Sequence, residues 1–103
     1  DNDLSSSIPT EIGLLTDVAD LQFHSNKLTG AIPSEIGNLQ ALELLYLDDN
    51  DLSSSIPTEI GLLTDVADLQ FHSNKLTGAI PSEIGNLQAL ELLYLDDNDL
   101  SSS

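Results

Sequence analysis

Residues 15–38 read LTDVADLQFHSNKLTGAIPSEIGN, and residues 39–62 read LQALELLYLDDNDLSSSIPTEIGL. The two stretches have one length, a common set of apolar positions, one shared Asn and a common I-P-x-E-I-G segment. Residues 63–86 repeat the first stretch letter for letter, residues 87–103 begin the second again, and residues 1–14 are the tail of a second-type unit. Residues 1–55 are therefore identical to residues 49–103, so a period of 48 is built from two alternating units of 24. A fixed period in this range marks stacked supersecondary units, each unable to bury its apolar side alone.

Within a unit, Leu21 and Phe23, and then Leu45 and Leu47, alternate with polar neighbours, which is strand periodicity. Asn26 and Asn50 keep the strand short, Pro33 and Pro57 forbid a helix through the return stretch, and Gly37 and Gly61 punctuate its end. An amphipathic helix through Leu39, Leu42 and Leu45 is the competing reading. Gly37 before it, Leu47 after it and the 24-residue period disfavour it.

The frame shared by both units is L-x-x-[LV]-x-x-L-x-[LF]-x-x-N-x-L-x-x-x-I-P-x-E-I-G. It falls on Leu15, Val18, Leu21, Phe23, Asn26, Leu28, Ile32, Pro33, Ile36 and Gly37, and again on Leu39, Leu42, Leu45, Leu47, Asn50, Leu52, Ile56, Pro57, Ile60 and Gly61. This frame resembles the leucine-rich repeat in its plant-type form with an L-x-G-x-I-P segment, and the resemblance covers the whole chain. It implies a leucine-rich-repeat solenoid of the α/β class, dominated by β structure, with a parallel sheet on the concave face and short turns or 3₁₀ segments on the convex face. About four coils are expected, in a single uncapped array over 1–103: a partial coil at 1–14, full coils at 15–38, 39–62 and 63–86, and a partial coil at 87–103. One position departs from the pattern. Ser54, with Ser6 and Ser102, stands where the first unit has Gly30. If that turn needs a positive φ, Ser costs up to about 1 kcal/mol relative to Gly, and a remodelled turn is expected in alternate coils.

Composition narrows the function. Of 103 residues, 18 are Asp or Glu, Lys27 and Lys75 are the only Lys or Arg, and the net charge is −16. Nucleic acids and anionic membrane surfaces need clustered Lys or Arg, so neither is an expected partner. No apolar run reaches the roughly 18–20 residues of a membrane span, and no membrane insertion is expected from this segment. The absence of Cys removes disulfides and thiolate metal sites. With 40% apolar and 19% charged residues, the chain has the apolar content for an ordered core.

Stacking places residue i beside i+24, so the surface reads as columns. Asn2, Asn26, Asn50, Asn74 and Asn98 form one column. The resemblance implies that they point inward and bond backbone groups of neighbouring coils, in keeping with the rule that buried amides are satisfied. Asp3, Lys27, Asp51, Lys75 and Asp99 alternate in sign, a register device contributing about 0.2–1 kcal/mol per pair. Glu11, Glu35, Glu59 and Glu83 form a solvated like-charge row. His24, Asp48, His72 and Asp96 alternate on the strand face. A metal or acid–base site would need a further orienting group and a pocket, so a solvated ion-pair row is the preferred reading. Asp48, Asp49 and Asp51 around Asn50 are a weak Ca²⁺ candidate that lacks the Gly and distal Glu of an EF-hand loop. The Ser53–Ser55 triplet and its repeats at Ser5–Ser7 and Ser101–Ser103 read as a closely packed small-residue stretch or as sites of O-glycosylation.

The candidate binding face is the outward row of Gln22, His24, Leu44, Tyr46 and Asp48, repeated as Gln70, His72, Leu92, Tyr94 and Asp96. Its Leu–Tyr pairs read equally as a binding ridge or as ordinary exposed side chains. No nucleophile motif, phosphate loop or cofactor signature occurs, so no catalytic residue, no cofactor and no enzyme activity is expected. The resemblance implies an extracellular or cell-surface module that binds without catalysis. Because the face repeats identically every 48 residues, the first expectation is a structural scaffold, a window of a long array or a head-to-tail filament partnered by itself. The alternative is a recognition module for an extracellular protein, a peptide or a repetitive ligand such as polysaccharide or ice.

Overall fold

The computed structural model describes residues 7–101. Asn2, Asp3, Leu4, Ser5, Ser6, Ser102 and Ser103 lie outside the described residues. The chain is a succession of short strands and single 3₁₀ turns, repeated coil after coil. Strands β1 (Asp20–Gln22), β3 (Leu44–Tyr46), β5 (Asp68–Gln70) and β7 (Leu92–Tyr94) form a four-stranded parallel sheet in that order. Its register is one whole unit: Leu21 pairs with Leu45, Leu45 with Leu69 and Leu69 with Leu93. Every coil thus presents the same face of its strand to the same side, which is what an uninterrupted 24-residue period demands.

A second, shorter ribbon follows each strand. β2 (Thr29–Gly30) pairs with β4 (Asp51–Leu52), and β6 (Thr77–Ala79) pairs with β8 (Asp99–Ser101), all in parallel. Among the described residues no ladder joins β4 to β6. Backbone bonds from Lys75 N to Leu52 O (2.8 Å) and from Thr77 N to Ser54 O (2.9 Å) cross that junction instead. Ser54 sits there at φ +65°, in the left-handed region that Gly30 (+79°) and Gly78 (+81°) occupy in the other unit. The backbone keeps the handedness of the turn and Ser54 takes the strained conformation, so the expected remodelling is confined to the interrupted ladder.

The return side carries 3₁₀ turns at Thr10–Leu14, Ser34–Asn38, Thr58–Leu62 and Ser82–Asn86, each preceded by an extended Pro. The fixed φ of Pro33 (−71°) and its missing N–H suit the position before the first turn, where no donor is used. Gly37 does more than end the turn. A Cβ there would lie 2.9 Å from both the Cβ and the carbonyl oxygen of Glu59 in the next coil. Gly61 faces Glu83 at 2.7 Å in the same way. Bare backbone at this position lets successive turns touch.

Between sheet and turns lies one continuous apolar column. Leu39, Leu42, Leu45, Leu47, Leu52 and Ile60 of the second unit, and Leu63, Val66, Leu69, Phe71 and Leu76 of the next, are all 0% exposed. Each such side chain contributes about 1.5–3 kcal/mol of burial free energy as an upper estimate. Ile84, at the end of the third full coil, and Leu90, Leu93, Leu95 and Leu100 of the last coil pack against this core while partly buried.

The Asn side chains close the polar accounts of the same core. Asn50 Nδ2 donates to Leu47 O (3.0 Å) and Asp48 O (3.1 Å) in its own coil and to Phe23 O (3.0 Å) in the preceding one, while its Oδ1 accepts from Leu28 N (3.1 Å). Asn74 repeats this with Phe71 O, His72 O, Leu47 O and Leu52 N, and Asn98 with Leu95 O, Asp96 O, Phe71 O and Leu76 N. Asn26 Nδ2 donates to Phe23 O (2.8 Å) and His24 O (3.2 Å). Asn50, Asn74 and Asn98 are each a rivet between two coils.

Candidate functional site

Strand alternation turns Leu21, Leu45, Leu69 and Leu93 inward, and therefore turns the residues on either side of them outward. The outward face consequently carries Asp20 and Gln22 on β1, Leu44 and Tyr46 on β3, Asp68 and Gln70 on β5, and Leu92 and Tyr94 on β7. His24, Asp48, His72 and Asp96 follow two residues beyond each strand on the same side.

These side chains engage one another across coils. Tyr46 Oη donates to Asp68 Oδ2 at 2.8 Å, and Gln70 Nε2 donates to the same carboxylate at 3.3 Å. Asp68 is 8% exposed, so this acceptor is withdrawn from solvent and held by two neutral donors. The hydrogen bond to Asp68, with a smaller contribution from desolvation and from the nearby carboxylates, raises the Tyr46 phenol above its ordinary value. Gln22 Nε2 donates to Asp20 Oδ1 at 2.9 Å, the first-coil version of the Gln70–Asp68 pair. His72 Nε2 lies 3.5 Å from Asp48 Oδ2. Each His meets the Tyr of the following coil edge-on: His24 and Tyr46 have ring centroids 6.0 Å apart at 68°, and His72 and Tyr94 5.6 Å apart at 81°. Gln70, His72, Tyr94 and Asp96 line a shallow open concavity of about 310 Å³. Tyr94 is 42% exposed in this concavity, and Leu92 on the same strand is 45% exposed.

Asp48, Asp49 and Asp51, the sequence's calcium candidate, do not converge. Asp48 faces His72, Asp49 Oδ2 accepts from Ser25 Oγ at 3.4 Å, and Asp51 Oδ1 lies 3.6 Å from Lys75 Nζ. Among the described residues, no group of three or more His, Cys, Asp or Glu side chains is arranged to hold a metal ion. The cause is the chain direction: successive residues around Asn50 point to different sides, and only Asn50 itself is drawn into the core. Asp68, by contrast, belongs to the face although the sequence reading did not select it. The available signal was its place two residues before Gln70 on the outward side of β5. Its partnership with Tyr46, 22 residues away, is a diagonal contact that a column spacing of 24 does not expose.

A stack of parallel strands of two alternating kinds, with an outward row of amide, imidazole, phenol and carboxylate groups, defines a repeat solenoid with a laterally exposed face. The chain belongs to the leucine-rich-repeat family, whose model matches residues 19–39, 41–63 and 67–87. No curated protein sequence matches it. Among solved structures, it is similar to a chain of the BIR3–SERK2 complex from Arabidopsis thaliana, with 39% identity and a TM-score of 0.88 over 93% of this chain and 52% of that one. It is similar to the plant peptide hormone receptor RGFR1 in complex with RGF2, with 37% identity and a TM-score of 0.95 over 97% of this chain and 16% of that one. A plant ice-binding protein matches at 35% identity and a TM-score of 0.92 over 97% of this chain and 33% of that one. The chain thus spans about half of the first of these and smaller shares of the others. No helix among the described residues is long and apolar enough to cross a membrane. The fold is that of a leucine-rich-repeat solenoid.

Proposed function

We propose that the segment is a non-catalytic extracellular or cell-surface recognition module, binding an extended protein, peptide or repetitive ligand along the outward strand face. The observation that carries this reading is the recurrence of one polar–aromatic set on that face. Gln22, His24, Tyr46 and Asp48 reappear 48 residues later as Gln70, His72, Tyr94 and Asp96, and the His–Tyr edge contact recurs with them. Relatives that hold a peptide hormone or bind ice support it, since one scaffold there serves both a discrete and a repetitive ligand. The test is capture on peptide and glycan arrays by the parent, by a strand-face variant (Gln70→Ala with Tyr94→Ala) and by a return-side variant (Leu14→Ser with Leu62→Ser). Selective signals should survive in the parent and the return-side variant and vanish in the strand-face variant. Loss in the return-side variant alone would refute the reading.

A second reading, an axial structural array, is favoured by the complete identity of the 48-residue copies, which makes one junction serve for all. Covering an edge coil buries apolar area at about 25 cal/mol per Å². The opposing charge of −16 per chain is screened within about 8 Å at physiological salt. Elongated particles that grow with salt in light scattering would establish stacking, whereas a salt-independent monomer would exclude it.

A further inference from the structure

Resting on the recognition reading above, we infer that the strand face binds an uncharged β-1,4-linked polysaccharide running along the stack axis, with one two-ring repeat of the polymer per 48 residues of protein. The chemistry of the face comes first. The concavity lined by Gln70, His72, Tyr94 and Asp96 offers an amide, an imidazole, a phenol and a carboxylate, a set that both donates and accepts, as ring hydroxyls do. The exposed ring of Tyr94 supplies an apolar platform for the C–H face of a sugar. The site is open on the sheet surface and does not enclose a ligand, which suits a polymer passing over it better than a small molecule held within.

Charge narrows the class. The chain has no Arg, and Lys75 Nζ lies beside Asp51, away from this row. At a net −16, a polyanionic glycan is repelled. A cationic peptide is the other candidate for an acidic face. However, Asp68 already accepts from Tyr46 and Gln70, and Asp48 already faces His72. Asp68 is thus an oriented acceptor held by two donors, and Asp48 is turned toward His72 through one oxygen, so neither stands as an open counter-charge, and that favours a neutral polyol.

Period narrows it further. The second copy of the set lies two coils away, which at the spacing of adjacent strands is about 9.6 Å. An extended β-1,4-linked chain turns over at each ring, so it repeats at every second ring over a closely similar length. The protein alternates in the same way, a Gln–His coil followed by a Leu–Tyr–Asp coil. One chain can therefore meet equivalent groups at both copies without distortion, and occupancy of the first copy raises the effective concentration at the second.

The experiment is an NMR titration of the 103-residue chain with cellohexaose, cellobiose, hexagalacturonate and oligolysine. Cellohexaose should shift resonances of Tyr46, Tyr94, His24 and His72, and should bind at least about tenfold more tightly than cellobiose. Tyr46→Ala with Tyr94→Ala should weaken it about tenfold or more, while Tyr46→Phe with Tyr94→Phe, which keeps both rings and guards against misfolding, should weaken it only a few-fold. Equal binding of hexagalacturonate, or parent-like affinity in the Ala pair, would overturn the inference. Oligolysine binding at this face with no response to cellohexaose would overturn the polysaccharide and leave the recognition reading intact. Responses confined to the return side would overturn both.

Discussion

Replacing Asn50 by Ala removes four hydrogen bonds, yet the expected cost is set by only one of them. Phe23 O, which loses Asn50 Nδ2, keeps the amide of Asn26 at 2.8 Å. Leu47 O keeps the amide of Asn74 at 2.9 Å, and Asp48 O keeps the backbone N–H of Ser25 at 3.1 Å. Leu28 N has no such substitute, and Leu28 is 4% exposed. A buried donor left unmade costs about 1–3 kcal/mol, so Asn50→Ala should destabilise by about 2 kcal/mol, well under the sum of four bonds. Asn74→Ala should match it, with Leu52 N orphaned and Phe71 O kept by Asn98. Together the two changes strip both amide donors from Leu47 O. The double variant should therefore cost about 1 kcal/mol more than the sum of the singles. Urea unfolding followed by circular dichroism reads this as shifted midpoints at similar slope. A strictly additive cycle, or single variants within about 0.5 kcal/mol of the parent, would refute the shared-carbonyl account.

Gly37→Ala should destabilise by about 1–3 kcal/mol, because its Cβ would sit 2.9 Å from the backbone oxygen of Glu59, whereas Gly85→Ala, with nothing within 4 Å, should be nearly neutral; equal thermal melts for the two would contradict the close approach. Ser54→Gly should stabilise by up to about 1 kcal/mol by relieving the left-handed Ser, and a destabilised variant in chemical unfolding would show that the Ser side chain holds the turn. The raised Tyr46 phenol means that the folded state keeps this proton more tightly than the unfolded chain does. The resulting stability is present at pH below the unfolded value and is lost as pH rises through the folded one. Ultraviolet titration should show Tyr46 ionising above the ordinary phenol range, with Asp68→Asn bringing it down; an unmoved Tyr46 in that variant would rule out the Asp68 hydrogen bond as the cause.

The architecture was legible because every coil-forming signal is local and repeated. Alternation at Leu45 and Leu47, the stop at Asn50 and the break at Pro57 each act within one unit, and the period then fixes the register of Leu45 against Leu21 and Leu69. What was not legible depends on where side chains turn after stacking. Tyr46 chooses Asp68 diagonally, a choice of rotamer and reach that no column reveals. Asp48, Asp49 and Asp51 stand together in the sequence, but the backbone around Asn50, with Asp49 at φ +61°, sends them apart. Gly37 read as punctuation, since only the neighbouring coil shows that Glu59 occupies the place of its missing side chain. At Ser54 the sequence pattern located the departure, while the response, a strained residue in place of a rebuilt turn, is a balance of backbone energies settled by the coils on either side.

The gap in the second ribbon gives the stack a mechanical grain. The main sheet runs unbroken from β1 to β7, but the ribbon forms a full ladder only within a coil pair, β2 to β4 and β6 to β8, while the junction at Ser54 is crossed by just the Lys75–Leu52 and Thr77–Ser54 backbone bonds. A load drawn along the stack axis meets the sheet and a complete ribbon ladder inside a pair, but the sheet and an interrupted ribbon between pairs, so parting begins beside Ser54. A chain that yields there gives way in pairs of coils. Each event frees 48 residues, about 170 Å of extended backbone, and force spectroscopy would record a sawtooth of that spacing in place of one half as long.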